Sequence, residues 1–251
     1  MRSLWVRRAA LAAFAACAAG CATFGREYEY EEQLYLNVDG SASVVIDSSV
    51  AALVALRGLS LQADPRARLD PIAVRHLYES LGCQVVRIGQ PWYRHGRRFI
   101  QVRLTTPDVR TLSTCQPLAW STYRFEQKNG AIEYEQKVGP PSAAAPARAT
   151  WTGAELVAFR LHLPSKVLFH NVRSLKDNRA GEIERGNILT WEQRLSDRQA
   201  GTPIDMLVTM DPESILYRTL WLFAGSFLAA VLVLGAIIMW TVRKGRKMRA
   251  M

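Results

Sequence analysis

Histidine and cysteine are both scarce in this 251-residue chain, which contains four of each. No Cys-x-x-Cys pair occurs, which argues against the common structural zinc sites, and no His-Glu-x-x-His metalloprotease motif is present. The Gly-x-Ser-x-Gly elbow of hydrolases, the phosphate-binding glycine loop and the dinucleotide fingerprint are missing as well. We therefore expect a protein that is not an enzyme and needs no cofactor.

The few histidines are scattered along the chain. His162 and His170 lie on neighbouring predicted strands and could converge on a metal, but half-exposed strand positions are the simpler interpretation. A catalytic site would require His95, these two histidines and nearby carboxylates to converge at one place in the fold. We predict neither a catalytic nor a metal site.

The central part of the chain has almost no net charge. The net charge is +10, but nine cations lie within the first eight residues or from Arg218 onward, which leaves +1 for residues 21–217. Nucleic-acid binding relies on neutralising many phosphates with Lys and Arg. A nearly neutral central region therefore argues against nucleic acid as a partner. The acidic pairs Glu31–Glu32 and Glu182–Glu184 are predicted to lie on solvated surfaces.

One long hydrophobic run stands out near the end of the chain. Residues 219–242 carry no charge, and a helix of this length reaches about 36 Å, enough to cross a bilayer core of about 30 Å. Trp221 and Trp240 fall near its two edges. Five cations in residues 243–249 follow, and such cations favour the cytoplasmic side. We predict a single pass through a bacterial cytoplasmic (inner) membrane, with the C-terminus in the cytoplasm.

The N-terminal segment has the pattern of an export signal. Three arginines within the first eight residues precede the apolar residues 9–16 and the small residues before Cys21. The Gly20-Cys21 junction resembles a bacterial lipobox, in which the cysteine is acylated, although Ala18 stands where leucine is usual. We predict lipidation at Cys21; ordinary cleavage and an uncleaved N-terminal anchor remain the alternatives.

Two further cysteines, Cys83 and Cys115, belong to the exported part of the chain. An oxidising compartment makes them a candidate disulfide, and a bridge over this separation would stabilise the fold by about 3 to 4 kcal/mol in the chain-entropy model. Two unpaired buried thiols are the alternative.

Alternating apolar and polar residues predict strands through most of residues 28–210. Asp39-Gly40 and Asn129-Gly130 predict hairpin turns. A short helix is predicted from Ser48 or Ser49 to Gly58, and a second from Asp70-Pro71 to Gly82. The predicted fold class is α+β: an antiparallel, strand-rich ectodomain with two short helices, followed by one C-terminal transmembrane helix.

The predicted divisions are a lipoprotein-type signal peptide (1–20), a first strand-rich part (21–138), a flexible linker or loop (139–149), a second strand-rich part (150–211), the membrane-spanning helix (212–242) and a basic tail (243–251).

One cluster of cations is a candidate binding site. Arg94, His95, Arg97 and Arg98 lie at a predicted hairpin turn next to aromatic residues, a combination that suits a lipid headgroup at a bilayer surface. A basic turn that only improves solubility is the alternative.

Two short stretches resemble a known family. Residues 34–42 (Leu-Tyr-Leu-Asn-Val-Asp-Gly-Ser-Ala) and 186–191 (Gly-Asn-Ile-Leu-Thr-Trp), together with the Gly-Cys signal and the single C-terminal span, resemble the LppM-like family of bacterial cell-envelope lipoproteins. The resemblance implies a membrane-tethered domain of strands packed on helices, of a kind associated with binding lipids or glycolipids, and carries over no catalytic residues.

These observations together predict a non-enzymatic, membrane-anchored envelope protein. Its extracytoplasmic domain is expected to bind a lipid or another amphipathic ligand, and membrane lipids are its expected partners. The alternative is an extracytoplasmic scaffold that docks another membrane or envelope protein.

Overall fold

The computed structural model describes residues 28–142 and 149–249. The predicted signal peptide (1–20), Cys21 and the middle of the predicted linker lie outside the described residues. The strands are β1 (Tyr28–Leu36), β2 (Ala42–Ser49), β3 (Gln84–Ile88), β4 (Trp92–Arg94), β5 (Arg97–Thr106), β6 (Ser121–Lys128), β7 (Ala131–Val138), β8 (Leu156–His162), β9 (Ser165–His170), β10 (Ile188–Arg194) and β11 (Ile204–Ser214). The α-helices are α1 (Val50–Arg57), α2 (Pro71–Tyr78), α3 (Leu195–Gln199) and α4 (Ile215–Arg249), and two 3₁₀ helices cover Val109–Thr114 and Gln116–Leu118.

The strands form two sheets. The large sheet has the order β10-β8-β1-β2-β5-β3, with β4 also paired to β5, and the small sheet has the order β6-β7-β11-β9. Strands from before and after the predicted linker join both sheets, so the two predicted parts share one core. The α+β class is confirmed. Pairing is antiparallel except between β1 and β8, which run parallel because the chain returns to β1 only after crossing to the other sheet and back.

The core lies between the sheets, and alternation along each strand decides which residues enter it. In β1, Tyr30, Leu34 and Leu36 are buried, and the same holds for Val44 and Ile46 in the paired strand β2. The prediction of a solvated Glu31–Glu32 pair is wrong for Glu32, which shares this inner face and is buried.

Of the four predicted boundaries of the two short helices α1 and α2, three agree with the structure. The Ser49 side chain accepts a hydrogen bond from the Ala52 N–H at 3.0 Å, and Gly58 ends α1 in the left-handed conformation, with φ of 65°. Asp70 caps α2, with proline at its first position. The helix ends at Tyr78, before the predicted stop at Gly82, because residues 80–83 form a tight turn instead.

The two cysteines of the predicted disulfide lie at bonding distance. Cys83 and Cys115 are both buried and are bridged in the structure, with their Cα atoms 6.2 Å apart. The bridge ties the start of β3 to the segment between the two 3₁₀ helices.

The C-terminal apolar helix is confirmed as long enough to span a membrane. Within residues Ile215–Thr241, an 18-residue window has a mean hydropathy of 2.5, and none of that window is buried against the rest of the chain. The helix was expected from residue 212, but β11 continues through Pro212 and α4 begins at Ile215. Ser214 caps it by accepting a hydrogen bond from the Leu216 N–H at 3.2 Å.

Strand pairing defines two opposite ends of the strand domain (residues 28–142 and 149–214). One end, which we name the anchor end, is where the apolar helix α4 begins. There the Ile215 N–H donates to the carbonyl of Pro164, two residues beyond β8. At the far end lie the first residues of β1 and β8, Tyr28 and Leu156, which are paired. At about 3.3 Å per residue, the eight steps from Leu156 to Pro164 separate the two ends by about 25 Å.

Candidate functional site

The β4–β5 turn carries the cationic cluster predicted from sequence. Arg94 pairs with Arg97, and the two residues between them, His95 and Gly96, both have positive φ, 50° and 71°. Two such residues form the tight turn whose twist matches that of paired strands. This turn lies at the far end of the strand domain, because the adjacent Phe99 pairs with Ser49 at the end of β2.

Arg97 is buried and holds together two carboxylates from distant parts of the chain. Its Nε lies 3.0 Å from Glu29 Oε2 and its Nη1 lies 3.5 Å from Glu155 Oε1. The indole N–H of Trp151 donates to Glu29 Oε1 at 2.9 Å. Segment 149–155 therefore covers the first residues of β1, and Glu29 is buried although it lies on the outer face of the large sheet.

Glu155 is held in a cradle of backbone donors. Its carboxylate accepts from the N–H groups of Thr152 at 3.0 Å and Gly153 at 2.9 Å. Burial would raise the pKa of Glu155, but these backbone donors and the nearby Arg97 outweigh burial and hold the pKa below its usual value. The carboxylate is thus fixed in its charged form. Thr150 precedes this cradle with a strained φ of 47°, and its carbonyl accepts from Arg97.

These groups form the floor of a cleft with a volume of about 830 Å³. Its wall is mixed: Leu156 and Leu175 supply apolar surface, while Lys176 and Arg194 bring exposed cations to the rim. The cleft is lined by His95, Arg97, Thr150, Thr152, Ala154, Glu155, Leu156, Leu175, Lys176, Glu192 and Arg194. A cationic rim beside an apolar wall is chemically suited to a molecule that has both an anionic and an apolar part.

The structure brings only part of the predicted cationic cluster to the cleft. His95 and Arg97 line it, whereas Arg98 donates to the Gln62 carbonyl at 2.9 Å elsewhere in the fold. Arg94 donates to the Tyr28 carbonyl and lies over the ring of Phe99, 4.5 Å from its centroid. Headgroup binding by all four residues stays a prediction.

Sequence reasoning did not find Glu155, Lys176 or Arg194. The available signal was the alternation of β10, which places Glu192 and Arg194 on the face opposite the buried Trp191. The pairing of Arg194 with Leu156, which brings this face to the cleft, is a tertiary fact.

The histidines have separate surroundings. His162 in the large sheet stacks on Tyr35, with ring centroids 3.9 Å apart, whereas His170 belongs to the small sheet. Burial, together with the nearby Arg160, lowers the pKa of His162. Within residues 28–142 and 149–249, no group of three or more His, Cys, Asp or Glu side chains is placed to hold a metal ion.

A second charged cluster lies inside the core. Glu32 and Arg57 form an ion pair at 2.5 Å, and the guanidinium lies 3.4 Å from the centroid of the Trp120 ring. Glu32 also accepts from Tyr30 at 2.7 Å and from Gln136 of the small sheet at 3.0 Å. This cluster connects the two sheets.

Comparison with known proteins gives one distant structural likeness. No family model matches the chain, and no curated protein matches it. The NMR structure of the folded domain of the Mycobacterium tuberculosis LppM protein is similar with a TM-score of 0.39 and 10% sequence identity. The match covers 76% of this chain and 94% of that one. At this level of similarity the match assigns neither a ligand nor an activity to this chain.

Proposed function

We propose that this chain is a non-enzymatic, membrane-anchored envelope protein whose strand domain binds an anionic amphipathic ligand in the far-end cleft. The observation that carries the proposal is the composition of the cleft: Lys176 and Arg194 are exposed at its rim beside Leu156 and Leu175. Such a site pairs an anionic group with the cations while covering apolar surface.

The buried network of Glu29, Arg97 and Glu155 supports the same function by fixing the cleft floor. Each of the three charges has a partner at 3.5 Å or less, so the floor is held in place before any ligand arrives. A preorganised site loses less conformational entropy on binding than a mobile one. Arg97 and neutral N–H donors hold both carboxylates of this network, and the exposed Lys176 and Arg194 lie outside it at the rim.

The position of the cleft indicates from which direction the ligand reaches it. The cleft lies about 25 Å along β8 from Pro164, where the anchoring helix begins. A headgroup seated in the anchoring bilayer lies at the other end of the domain. The ligand is therefore one that reaches the far end from the surrounding envelope.

The proposal is tested by native mass spectrometry of the full chain, purified from membranes, with organic extraction of any molecule that copurifies. We expect a stoichiometric anionic amphiphile. The Lys176→Ala/Arg194→Ala variant should retain several-fold less of it, whereas Lys128→Ala, an exposed cation on the β6–β7 turn, should retain it fully. A ligand-free mass for the unmodified chain, or equal retention by all variants, would count against the cleft.

A scaffold that docks another envelope protein is the second candidate. Strand β9 forms an edge of the small sheet, and its Leu168 and Phe169 side chains are 54% and 52% exposed. An edge strand with exposed apolar residues is a common docking element. A photoreactive residue at Phe169 would then give one discrete protein crosslink in membranes, and the same residue at Lys128 would give none.

A further inference from the structure

One leucine projects fully into solvent from a tight turn beside the disulfide. Leu81 lies in the turn between Ser80 and Cys83, and its side chain is fully exposed. The Ser80 N–H donates to the Cys83 carbonyl and the Cys83 N–H donates to the Ser80 carbonyl, both at 3.1 Å. A single exposed leucine is common on protein surfaces, so its meaning depends on where the fold places it.

The turn is rigid, so the exposure of Leu81 is built into the fold. Cys83 is bridged to Cys115, which fixes one side of the turn. On the other side, Gly82 packs so tightly that a Cβ atom there would lie 2.7 Å from Thr114 Oγ1 and 2.9 Å from the Thr111 carbonyl oxygen. The backbone of the turn is therefore held on both sides, and it presents Leu81 at the surface beside an open hollow that Pro107 and Thr111 also line.

Strand pairing places this turn at the anchor end of the domain. The first residue of β3, Gln84, pairs with Thr105, and the next residue of β5, Thr106, pairs with Ala42, which in turn pairs with Leu36 at the end of β1. β8, which leads to Pro164, lies four strands away from β3 in the same sheet. At about 4.8 Å per strand, the Leu81 turn is displaced by roughly 20 Å from the start of α4.

A second apolar side chain lies between these two points. Val38, in the β1–β2 turn, is partly exposed at the same end of the large sheet. The anchor end therefore carries Leu81, Val38 and the first residue of the membrane helix, Ile215, along one edge.

We propose that the Leu81 turn is a second membrane contact, with Leu81 inserted among the lipids of the bilayer that holds α4. The anchor keeps this end of the domain next to the bilayer at all times, so one leucine is enough for a contact that would be too weak for a free domain. Two contacts roughly 20 Å apart fix the tilt of the domain on the membrane and keep the far-end cleft pointing away from it. This surface is distinct from the cleft, and the proposal does not depend on what the cleft binds.

Site-specific photocrosslinking of the full chain tests the contact. A benzophenone amino acid replaces Leu81 in one variant and Tyr93, an exposed residue of the far end, in a matched control. Each variant is reconstituted in vesicles of phosphatidylethanolamine and phosphatidylglycerol, irradiated and analysed by mass spectrometry for lipid adducts. Both positions are exposed, and the replacement at Tyr93 removes only the hydrogen bond that its hydroxyl donates to the Pro65 carbonyl, so both variants should fold, which circular dichroism verifies.

We expect lipid adducts at position 81 several-fold above those at position 93. Equal yields at the two positions would overturn the proposal. Crosslinks from position 81 to a protein chain in place of lipid would also overturn it, and would identify the turn as a protein-docking element.

Discussion

Arg57 and Glu32 show how much of this fold rests on single side chains. Their ion pair is nearly inaccessible to solvent and is extended by Tyr30, which donates to Glu32, and by Gln136. Burial raises the pKa of Tyr30, so that the phenol keeps the proton it donates. A buried carboxylate that lost its cation would stay in the core without compensation, which is far more costly than losing an exposed ion pair.

We predict that Arg57→Met lowers the free energy of unfolding by about 3 to 5 kcal/mol. The double variant Glu32→Leu/Arg57→Met should recover much of this loss, because it removes both charges. Arg124→Ala, which breaks an exposed pair with Glu126, is the control and should leave stability unchanged within error. Denaturant titration of the full chain in detergent measures each value, and a loss as small as the control's would disprove the role of the pair.

The titration of His162, which stacks on Tyr35, should make the stability of the folded chain depend on pH in a definite direction. Its folded-state pKa is lowered, so the unfolded chain binds the proton first as the pH falls. Its contribution to stability is therefore complete above its unfolded pKa of about 6.5 and is lost as the pH falls through that value toward the lower folded pKa. We predict that the melting temperature falls between about pH 8 and pH 5.5 by more in the unmodified chain than in His162→Gln. Equal falls would show that other groups are responsible.

At the scale of elements, glycines with positive φ end helices and turn hairpins, but they differ in their surroundings. Gly58 ends α1 at φ 65°, and an added Cβ there would lie 2.9 Å from Ser142 Cβ. Gly130 turns β6 into β7 at φ 73° with nothing within 4 Å. Both positions disfavour a side chain, but only the first is also crowded.

We predict that Gly130→Ala costs about 1 kcal/mol, the penalty for a left-handed residue with a Cβ. Gly58→Ala should cost more, because the α1 end must also move away from Ser142. Adding Ser142→Gly to Gly58→Ala should restore part of the difference. Thermal unfolding of the three variants measures this, and equal costs at the two glycines would contradict the close approach at the end of α1.

At the scale of the whole molecule, the disulfide is expected to carry a large share of stability. Replacing both Cys83 and Cys115 by Ala should lower the free energy of unfolding by about 3 to 4 kcal/mol, since the bridge closes a loop with a sequence separation of 32. The replacement leaves no thiol at either position and only small cavities. Unfolding of the unmodified chain with and without reductant is the companion measurement, and insensitivity to reductant would mean that the thiols are unpaired.

Membrane fractionation of truncated chains distinguishes the contributions of the two predicted anchors, which are an acylated Cys21 and the helix α4. A chain truncated after Ser214 loses α4, and we predict that it remains in the membrane fraction only if Cys21 is acylated. The same truncation with Cys21→Ser should be released as a soluble protein. Mass spectrometry of the mature N-terminus is the direct check, and an unmodified first residue other than Cys21 would remove the lipidation prediction.

Short-range signals in the sequence were enough to predict the local elements of this protein. Turn glycines, helix caps, alternating strands and one uncharged run located the hairpins, α1, the start of α2 and the C-terminal apolar helix. The sequence also made Cys83 and Cys115 a candidate disulfide, but it left two unpaired thiols as the alternative.

Which faces are covered and which distant segments meet depends on long-range packing. Period-two alternation shows that Glu29 and Glu32 point to opposite sides of β1, but not that segment 149–155 covers one and the small sheet covers the other. The cleft likewise assembles from the β4–β5 turn, segment 150–156, residues 175 and 176 and the end of β10. Its existence depends on strand register across a parallel β1–β8 pair, and register is set by packing between residues far apart in sequence, for which a single sequence carries no local signal.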